Sequence, residues 1–390
     1  MLRSLYSGIS GLRSHQTMLD VTGNNIANVN TTAFKGSAVQ FQDTLSQLTQ
    51  GAGGPQALVG GTNPAQVGLG VLVAGISTNF AQGAAQSTGK STDIMINGDG
   101  FFVTKLGGQT QYTRAGSFDP DAMGRLVGPD GSILQGWGAV NGVVQQGGAL
   151  GDVTIPLKSV APAAATTAST VSGNLPSDAV VGDQLVRDVK VYDANGAPRN
   201  LTLTFTKTAA GWDAAGADGT GATGTTSLVF TNGVLTAGGA MTVGGVAIDL
   251  TTTTGYANLT TVAFKDQNGR EAGTLESFTL SKDGTLIGLF SNGDKQAVGR
   301  IALATFVNPG GLEKAGGSAY RQTVNSGTAQ LGGPGESGLG SLQGGALEMS
   351  NVDLSQEFTN LIVAQRGFQA NARIITTSDE VLQELTNLKR

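Results

Sequence analysis

The chain has 390 residues, of which 39% are hydrophobic and 13% charged, and its formal net charge is −5. This length allows two or three domains with substantial cores. The acidic balance and the lack of any basic run disfavour a nucleic-acid partner. Cysteine is absent, which excludes disulfides, thiolate metal sites and a cysteine nucleophile.

The first 20 residues contain no apolar stretch of signal-peptide length and no small-residue cleavage site. The chain also has no apolar run long enough to span a bilayer. We therefore expect a protein without membrane insertion that either stays in the cytosol or is exported without cleavage of a signal.

A coiled-coil spacing predicts a helix from Leu2 to about Ala27, because seam positions recur in steps of three and four residues. These seam positions are Leu2, Leu5, Ile9, Leu12, Gln16, Leu19, Gly23 and Ile26. Asparagines beyond this point favour turns over further helix. Three internal glycines each cost about 1 kcal/mol relative to alanine, so the helix needs a partner.

The middle of the chain is predicted to be all β. After a connector over 31–67, short runs rich in Val, Ile, Phe and Thr are separated by Asn-Gly or Asp-Gly pairs, which suit the positive φ angles of type I′ turns. These pairs begin at residues 97, 99, 130, 141, 195, 218, 232, 268, 283 and 292.

Composition divides this β region into two domains. One is split between 68–160 and 263–337, and the other is an outer domain inserted over 161–262. Within the insert, 161–170 is predicted to be a low-complexity hinge, and 211–256 is predicted to hold short strands at most.

A second seam predicts a helix from Leu354 to about Lys389, after a connector over 338–353. Asp353 can cap this helix, and Glu357 lies where the helix dipole favours an anion. The seam positions are Leu354, Phe358, Leu361, Gln365, Phe368, Ala372, Ile375, Asp379 and Leu382. The predicted fold class is multidomain α+β, in which terminal coiled-coil-forming helices (1–30 and 354–390) enclose nested all-β domains.

Two matching seams favour helices that pair with each other or with neighbouring copies, over two ordinary core-facing helices. Gln16 and Gln365 occupy seam positions, where a polar residue can specify register or oligomeric state. Partial exposure at a loosely packed point is the alternative explanation for both glutamines.

No catalytic, cofactor or metal site is predicted, and we do not expect an enzyme. The single histidine, His15, lies outside the seam and has no evident nucleophile or carboxylate partner. The segments 97–100 (NGDG) and 119–121 (DPD) lack the glutamate that completes a calcium loop, so turns account for them. No GxxxxGK(S/T) motif is present, and no GxGxxG motif follows a predicted strand.

Two terminal segments closely resemble signatures of the bacterial flagellar rod and hook axial proteins. The first is 19–31 (LDVTGNNIANVNT) followed by Phe34-Lys35-Gly36, and the second joins 345–354 (GALEMSNVDL) to 364–373 (AQRGFQANAR). Between them, 96–103 and 112–118 are similar to the β domain of that family. The resemblance covers nearly the whole chain apart from 161–262. One departure is Ala33, where the family often has glycine.

The resemblance implies a structural subunit that polymerises into the flexible, curved tube of the flagellar hook, the universal joint that transmits torque from rod to filament. Chain length and the insertion favour this function over that of a distal rod subunit. The implied partners are sister subunits in a helical homopolymer, the rod, hook-cap and hook-filament junction proteins, and the flagellar export apparatus. The implied location is extracellular, in the basal body and hook.

The same resemblance implies roles for individual residues. The apolar and glutamine seam residues become assembly contacts, and the connector between helix and β domain is shaped by Asn24, Asn25, Asn28 and Phe34. We further hypothesise that the terminal helices are largely disordered in the monomer and become ordered on polymerisation.

Two functions from other classes are weaker. A secreted β-rich adhesin would explain the glycine- and threonine-rich hairpins, but it would not explain a seam at each end. A glycan hydrolase would need two carboxyl groups placed across a substrate, which sequence spacing alone does not establish.

Overall fold

The computed structural model describes residues 2–55, 60–140, 142–156, 160–336 and 338–388. The chain forms two compact units. Unit 1 comprises Met1–Ile155, Thr279–Ile287 and Ala297–Arg390, and unit 2 comprises Pro156–Phe278 and Gly288–Gln296. Terminal helices flank a β-rich middle, which confirms the predicted fold class.

The two helices are α1 (Leu2–Ala27) and α2 (Leu354–Asn387), close to the predicted spans. Asp353 caps α2 as predicted, because its Oδ1 accepts hydrogen bonds from Ser355 N at 2.8 Å and Gln356 N at 3.3 Å. The predicted end near Lys389 lies outside the described residues.

The strands of the first part of the chain are mostly short: β1 (Ser37–Asp43), β2 (Ser46–Gln50), β3 (Ala65–Gly68), β4 (Val71–Thr78), β5 (Ala85–Ser87), β6 (Ile94–Asn97), β7 (Phe101–Leu106), β8 (Gln109–Thr113), β9 (Asp119–Pro120), β10 (Leu126–Val127), β11 (Ile133–Val140), β12 (Val143–Val144) and β13 (Gly151–Asp152).

The remaining strands include the longest: β14 (Val160–Ala161), β15 (Ala168–Asn174), β16 (Gln184–Tyr192), β17 (Pro198–Lys207), β18 (Trp212–Asp218), β19 (Thr223–Thr231), β20 (Val234–Ala237), β21 (Ala240–Val243), β22 (Val246–Thr254), β23 (Ala263–Gln267), β24 (Gly273–Leu280), β25 (Thr285–Phe290), β26 (Lys295–Ile301), β27 (Leu303–Thr305), β28 (Glu313–Gly316), β29 (Ala319–Arg321), β30 (Gln330–Gly332), β31 (Ser341–Gly344) and β32 (Ala346–Glu348).

Both predicted connectors contain strands instead of loops alone. In the first, β1 pairs with β4, which follows the connector, and β2 pairs with β3, so that these four strands form an antiparallel ribbon. In the second, β31 pairs with β6 and β32 with β5. These strands were not predicted, because the glycine-rich composition around them indicates loops.

Unit 1 contains a sheet in which β26, β11, β7, β8, β29 and β28 are neighbours in that order. An aromatic cluster fills its core, since Phe80, Phe101 and Tyr320 meet edge to face at centroid distances of 5.2 to 6.1 Å, and Tyr112 meets Phe306 at 4.8 Å.

Unit 2 contains a nine-stranded sheet with the order β16-β17-β18-β19-β20-β22-β15-β23, and β21 also pairs with β22. β15 runs parallel to β22. Alternating residues of β17 and β18 are fully buried in the core, including Leu203, Phe205 and Trp212.

Two expectations within unit 2 are wrong. The predicted hinge at 161–170 ends inside β15, and 211–256, expected to hold short strands at most, contains β18, β19 and β22 of seven to nine residues. Threonine and small residues satisfy the alternation of a half-buried sheet, although they are weakly hydrophobic.

The Asn-Gly and Asp-Gly pairs mark turns, but rarely of the predicted type. Among the described residues, only Asn232-Gly233 combines two positive φ angles, 53° and 81°. At Asp283-Gly284 and Asn292-Gly293 the glycine alone is positive. A type I turn followed by a left-handed glycine is the common hairpin alternative.

We predict that Phe205→Ala lowers the free energy of unfolding of unit 2 by about 3–5 kcal/mol, because the fully buried ring leaves a cavity. The change can be followed by the fluorescence of Trp212 in a Trp137→Phe background. Val186→Ala is the control, since Val186 is 49% exposed and should change stability by less than about 0.5 kcal/mol. Equal losses in both variants would contradict the core assignment.

The second prediction concerns Tyr320, which is 3% exposed. Burial raises the pKa of its phenol from 10.0 to about 12. The native state therefore holds this proton more tightly than the unfolded state, and the resulting stability, about 3 kcal/mol, is present below pH 10 and is lost as the pH rises towards 12.

Denaturant titrations at successive pH values should show this loss relative to Tyr320→Phe, which has no phenol to ionise. Tyr6→Phe is the matched control, because Tyr6 is 67% exposed. A stability difference between wild type and Tyr320→Phe that stays constant from pH 9 to 12 would refute the prediction.

Candidate assembly interface

Small residues allow α1 and α2 to pack closely. A Cβ atom placed on Gly11 would lie 2.6 Å from Asn371 Oδ1, and one placed on Gly367 would lie 2.5 Å from the His15 ring. A Cβ on Gly8 would touch Ile374 at 3.4 Å. Gly8 and Gly11, two of the three glycines that weaken α1 as an isolated helix, are therefore points where the second helix approaches.

The buried positions of α1 do not coincide with the predicted seam. Gly8, Gly11, Thr22 and Asn25 are buried and each immediately precedes a predicted seam position, and the fifth buried residue, Ser14, lies two residues before Gln16. One residue corresponds to a rotation of about 100° around a helix. In the single chain the buried stripe of α1 therefore consists of small and polar residues, and the predicted apolar seam lies beside it.

Most predicted seam residues of α1 flank the buried stripe and are half-buried: Leu5, Ile9, Leu12, Leu19 and Ile26. Gln16 and Gly23 are exposed. Leu2 begins the helix, and its side chain lies outside the described part of the chain. The exposure of Gln16 in the single chain is compatible with the alternative explanation, a loosely packed point.

The α2 seam divides in the same way. Half-buried positions are Leu361, Phe368, Ala372, Ile375 and Leu382, whereas Leu354, Phe358, Gln365 and Asp379 are exposed. Ala364, which the seam prediction missed, is the buried residue of α2 among those described.

Further large apolar side chains of α2 are uncovered and were also missed. Ile362 is 56% exposed and adjoins Phe358, which is 51% exposed, on one side of the packed face. A second stripe recurs at steps of 11, 7, 4 and 3 residues and comprises Val363, Ile374, Val381, Leu385 and Leu388. Uncovered apolar side chains thus lie on both sides of the face that packs on α1.

The ribbon formed by β1 to β4 packs on another side of α1. Ser10 Oγ accepts a hydrogen bond from Val71 N at 3.2 Å, and the rings of His15 and Phe41 meet edge to face at 5.7 Å. His15 Nδ1 is buried without a hydrogen-bond partner in the described structure. His15 therefore packs between elements, as its position outside the seam suggested.

The predicted connector residues hold the end of α1. Asn28 Nδ2 donates to Asn24 O at 2.9 Å and to Asn24 Oδ1 at 3.1 Å. Asn25 Nδ2 donates to Ser37 O at 2.8 Å and to Glu357 Oε1 at 2.9 Å, while Ser37 N donates to Asn25 Oδ1 at 3.0 Å. Asn25 thus joins α1, α2 and β1.

Phe34 and its neighbours line a cavity of about 400 Å³ in unit 1. The Lys314 ammonium lies 5.4 Å from the centroid of the Phe34 ring and donates to Ser37 Oγ at 2.9 Å. Burial lowers the pKa of Lys314. Phe118 and Tyr320 extend the apolar lining, so Phe34 packs where α1 joins the β strands.

A buried ion pair lies beside this junction. Lys35 Nζ is 2.6 Å from Glu348 Oε1, and neither side chain has exposed surface. The backbone N of Ala33 donates to Glu348 O at 2.8 Å, and Ala33 has φ 57°. This left-handed conformation explains why glycine would suit position 33.

No helix among the described residues is long and apolar enough to cross a membrane. The described part of the chain also contains no group of three or more His, Cys, Asp or Glu side chains placed to hold a metal ion.

Three family models match the chain. They are described as flagella basal body rod protein over residues 5–35, flagellar hook protein FlgE/F/G D1 domain over 95–173, and flagellar basal body rod FlgEFG protein C-terminal over 343–388. These spans contain most of α1, the strands from β7 to β14, and α2.

Full-length relatives decide the family. The chain is 40% identical to the flagellar hook protein FlgE of Borreliella burgdorferi, with 100% of both chains covered. This chain belongs to the flagellar rod and hook axial protein family. It is also 35% identical to FlgE of Salmonella typhimurium over 99% of this chain and 100% of the relative.

A rod protein is also among the relatives, since the flagellar basal-body rod protein FlgG of Bacillus subtilis is 36% identical over 100% of both chains. In structure, the chain is similar to the hook protein FlgE2 of Helicobacter pylori, with TM-score 0.51, 14% identity, 68% of this chain covered and 100% of that chain. At that identity the likeness supports the fold alone.

We predict that Gly11→Leu destabilises the helix pair by about 1–3 kcal/mol, because the new side chain must displace Asn371. Gly23→Leu makes the same replacement in the same helix where nothing lies within 4 Å, and it should stabilise α1 by about 0.5–1 kcal/mol. Hydrogen exchange of the α1 amides measures both effects. Equal effects in the two variants would show that Gly11 is not a packing contact.

Proposed function

We infer that this chain is a structural subunit of the bacterial flagellar hook, which assembles into a curved tube and transmits torque from rod to filament. The observation that carries this proposal is identity of 35–40% to hook proteins over essentially the whole chain. In this proposal the terminal helices and the β units are parts of one polymer-forming subunit.

The exposed surface of α2 supports self-assembly. Monomeric soluble proteins rarely leave contiguous apolar patches uncovered. The exposed stripes on either side of the α1 contact give α2 two further surfaces for helices of sister chains. In this proposal the half-buried seam residues of α1 and α2 flank those contacts, and assembly completes their burial.

A distal rod subunit is the second candidate, because the relative named as a rod protein matches the full chain at 36% identity. The polymers distinguish the two functions. A hook subunit forms curved tubes, and a rod subunit forms straight and stiff ones, so electron micrographs of the assembled protein decide between them.

The hook proposal also implies specific partner proteins. We propose contacts with the rod, the hook cap and the hook-filament junction proteins, after export through the flagellar apparatus without cleavage of a signal. A chain without cysteine carries no disulfide that would obstruct export in an unfolded state. Ordering of the terminal helices on polymerisation also belongs to this proposal.

We predict that the double variant Phe358→Ser/Ile362→Ser remains a folded monomer but loses salt-induced polymerisation. Both side chains are more than half exposed in the single chain, so their loss should mainly affect contacts between copies. Sedimentation and electron microscopy measure assembly, and circular dichroism checks that the fold is retained.

Gln369→Ser is the control for this variant, because it makes a comparable change in helix propensity at an exposed polar position of α2. It should polymerise like the wild type. Normal tubes from the double variant would show that Phe358 and Ile362 are not part of the assembly interface.

A further inference from the structure

Three charged side chains that are distant in sequence meet in the interior of unit 1. Lys35, Arg114 and Glu348 are 0%, 3% and 1% exposed. Lys35 and Glu348 are separated by 313 positions, and each lies in one of the two arms that leave the terminal helices. Lys35 follows α1, and Glu348 precedes α2.

The Glu348 carboxylate is the centre of this cluster. Its Oε1 accepts hydrogen bonds from Lys35 Nζ at 2.6 Å and from Gly83 N at 2.8 Å. Its Oε2 lies 3.5 Å from Arg114 Nη1, which also donates to Gly98 O at 2.9 Å. One anion therefore compensates two buried cations that belong to different parts of unit 1.

Neutral hydrogen bonds bring the same arms together. Asn351 Nδ2 donates to Ala81 O at 3.0 Å, and Lys35 Nζ donates to the same carbonyl at 2.7 Å. Gly36 N donates to Asn351 Oδ1 at 2.9 Å. Gly83 permits this approach, because a Cβ there would lie 2.0 Å from Met349 O.

We propose that Lys35, Arg114 and Glu348 form an electrostatic latch, centred on Glu348, which fastens the arms of both terminal helices to the β strands of unit 1 so that the arms are released together. The latch is a property of the single chain and goes beyond the hook proposal, and its test does not require assembly.

The charges of the latch are unequal, which makes the test specific. Loss of the Glu348 charge leaves two cations buried without a counter-ion, and unpaired buried charges are strongly destabilising. Loss of the Lys35 charge leaves Glu348 paired with Arg114, and Ala81 O keeps its hydrogen bond from Asn351. Burial lowers the pKa of the Lys35 amine, and its hydrogen bond to Glu348 is the largest opposing influence.

Hydrogen exchange of the full-length monomer tests the latch. Glu348→Gln should raise the exchange rates of both arms, 33–37 and 345–352, by about 100-fold together, since breaking a buried pair by removing one charge costs several kcal/mol. Lys35→Met should raise them by less than about 10-fold. The double variant Lys35→Met/Glu348→Gln should exchange more slowly than Glu348→Gln alone, because one unpaired cation has been removed.

Asp119→Asn provides the matched control. Asp119 pairs with Lys90 at the same 2.6 Å, but those side chains are 65% and 45% exposed, so the variant should leave both arms unchanged. If Glu348→Gln fails to fold, the double variant is still expected to fold. The exchange rates of its two arms are then compared with those of Lys35→Met. The proposal is overturned if Lys35→Met is as disruptive as Glu348→Gln, if the second substitution gives no recovery, or if only one arm loses protection.

Discussion

Close packing of α1 against α2 determines which side chains the single chain leaves uncovered. It requires glycine at position 11, where Asn371 occupies the space of a side chain, and glycine at 367, where the His15 ring does so. The residues at the closest approach are small, and the apolar seam residues beside them are only half-buried. The larger apolar side chains of α2 remain beside this contact and are available to other molecules.

Attachment of the helix pair to the β strands follows a different physical principle. Buried charge and directional hydrogen bonds hold the junction, through Asn25 between the helices and β1 and through the cluster around Glu348. Replacing a buried ion pair by apolar residues of similar volume is often neutral or stabilising, so the pair itself adds little net stability. The junction therefore combines weak net stabilisation with a defined geometry, which suits a subunit that transmits torque.

Sequence patterns predicted the elements that depend on local signals. The span of α1, the Asp353 cap and the β-rich middle follow from helical spacing, capping chemistry and turn residues, and the structure agrees. The stripe of α1 that is buried in the single chain lies beside the predicted seam, because periodicity shows which stripe is apolar but not which stripe the second helix covers. Strands β1 to β3 were not predicted for a related reason, since each contains few large apolar residues and is defined by its pairing.

The residues of the candidate site also differ in whether the sequence alone could identify them. Asn25 and Phe34 were selected through family resemblance, and the contacts of Asn25 explain its position in the motif. The partnership of Lys35 with Glu348 joins residues 313 positions apart, so no local pattern could predict it. The αL conformation of Ala33 likewise becomes interpretable only when its hydrogen bond to Glu348 is seen.

We propose that sister chains cover the apolar side chains of α2 that α1 leaves exposed. The chain contains no cysteine, so a single introduced thiol can be labelled without background. Maleimide labelling of an Ile362→Cys variant, measured before and after polymerisation, tests this coverage. We expect fast labelling of the monomer and strong protection in the assembled tube. Labelling of the tube at the rate of the monomer would contradict it.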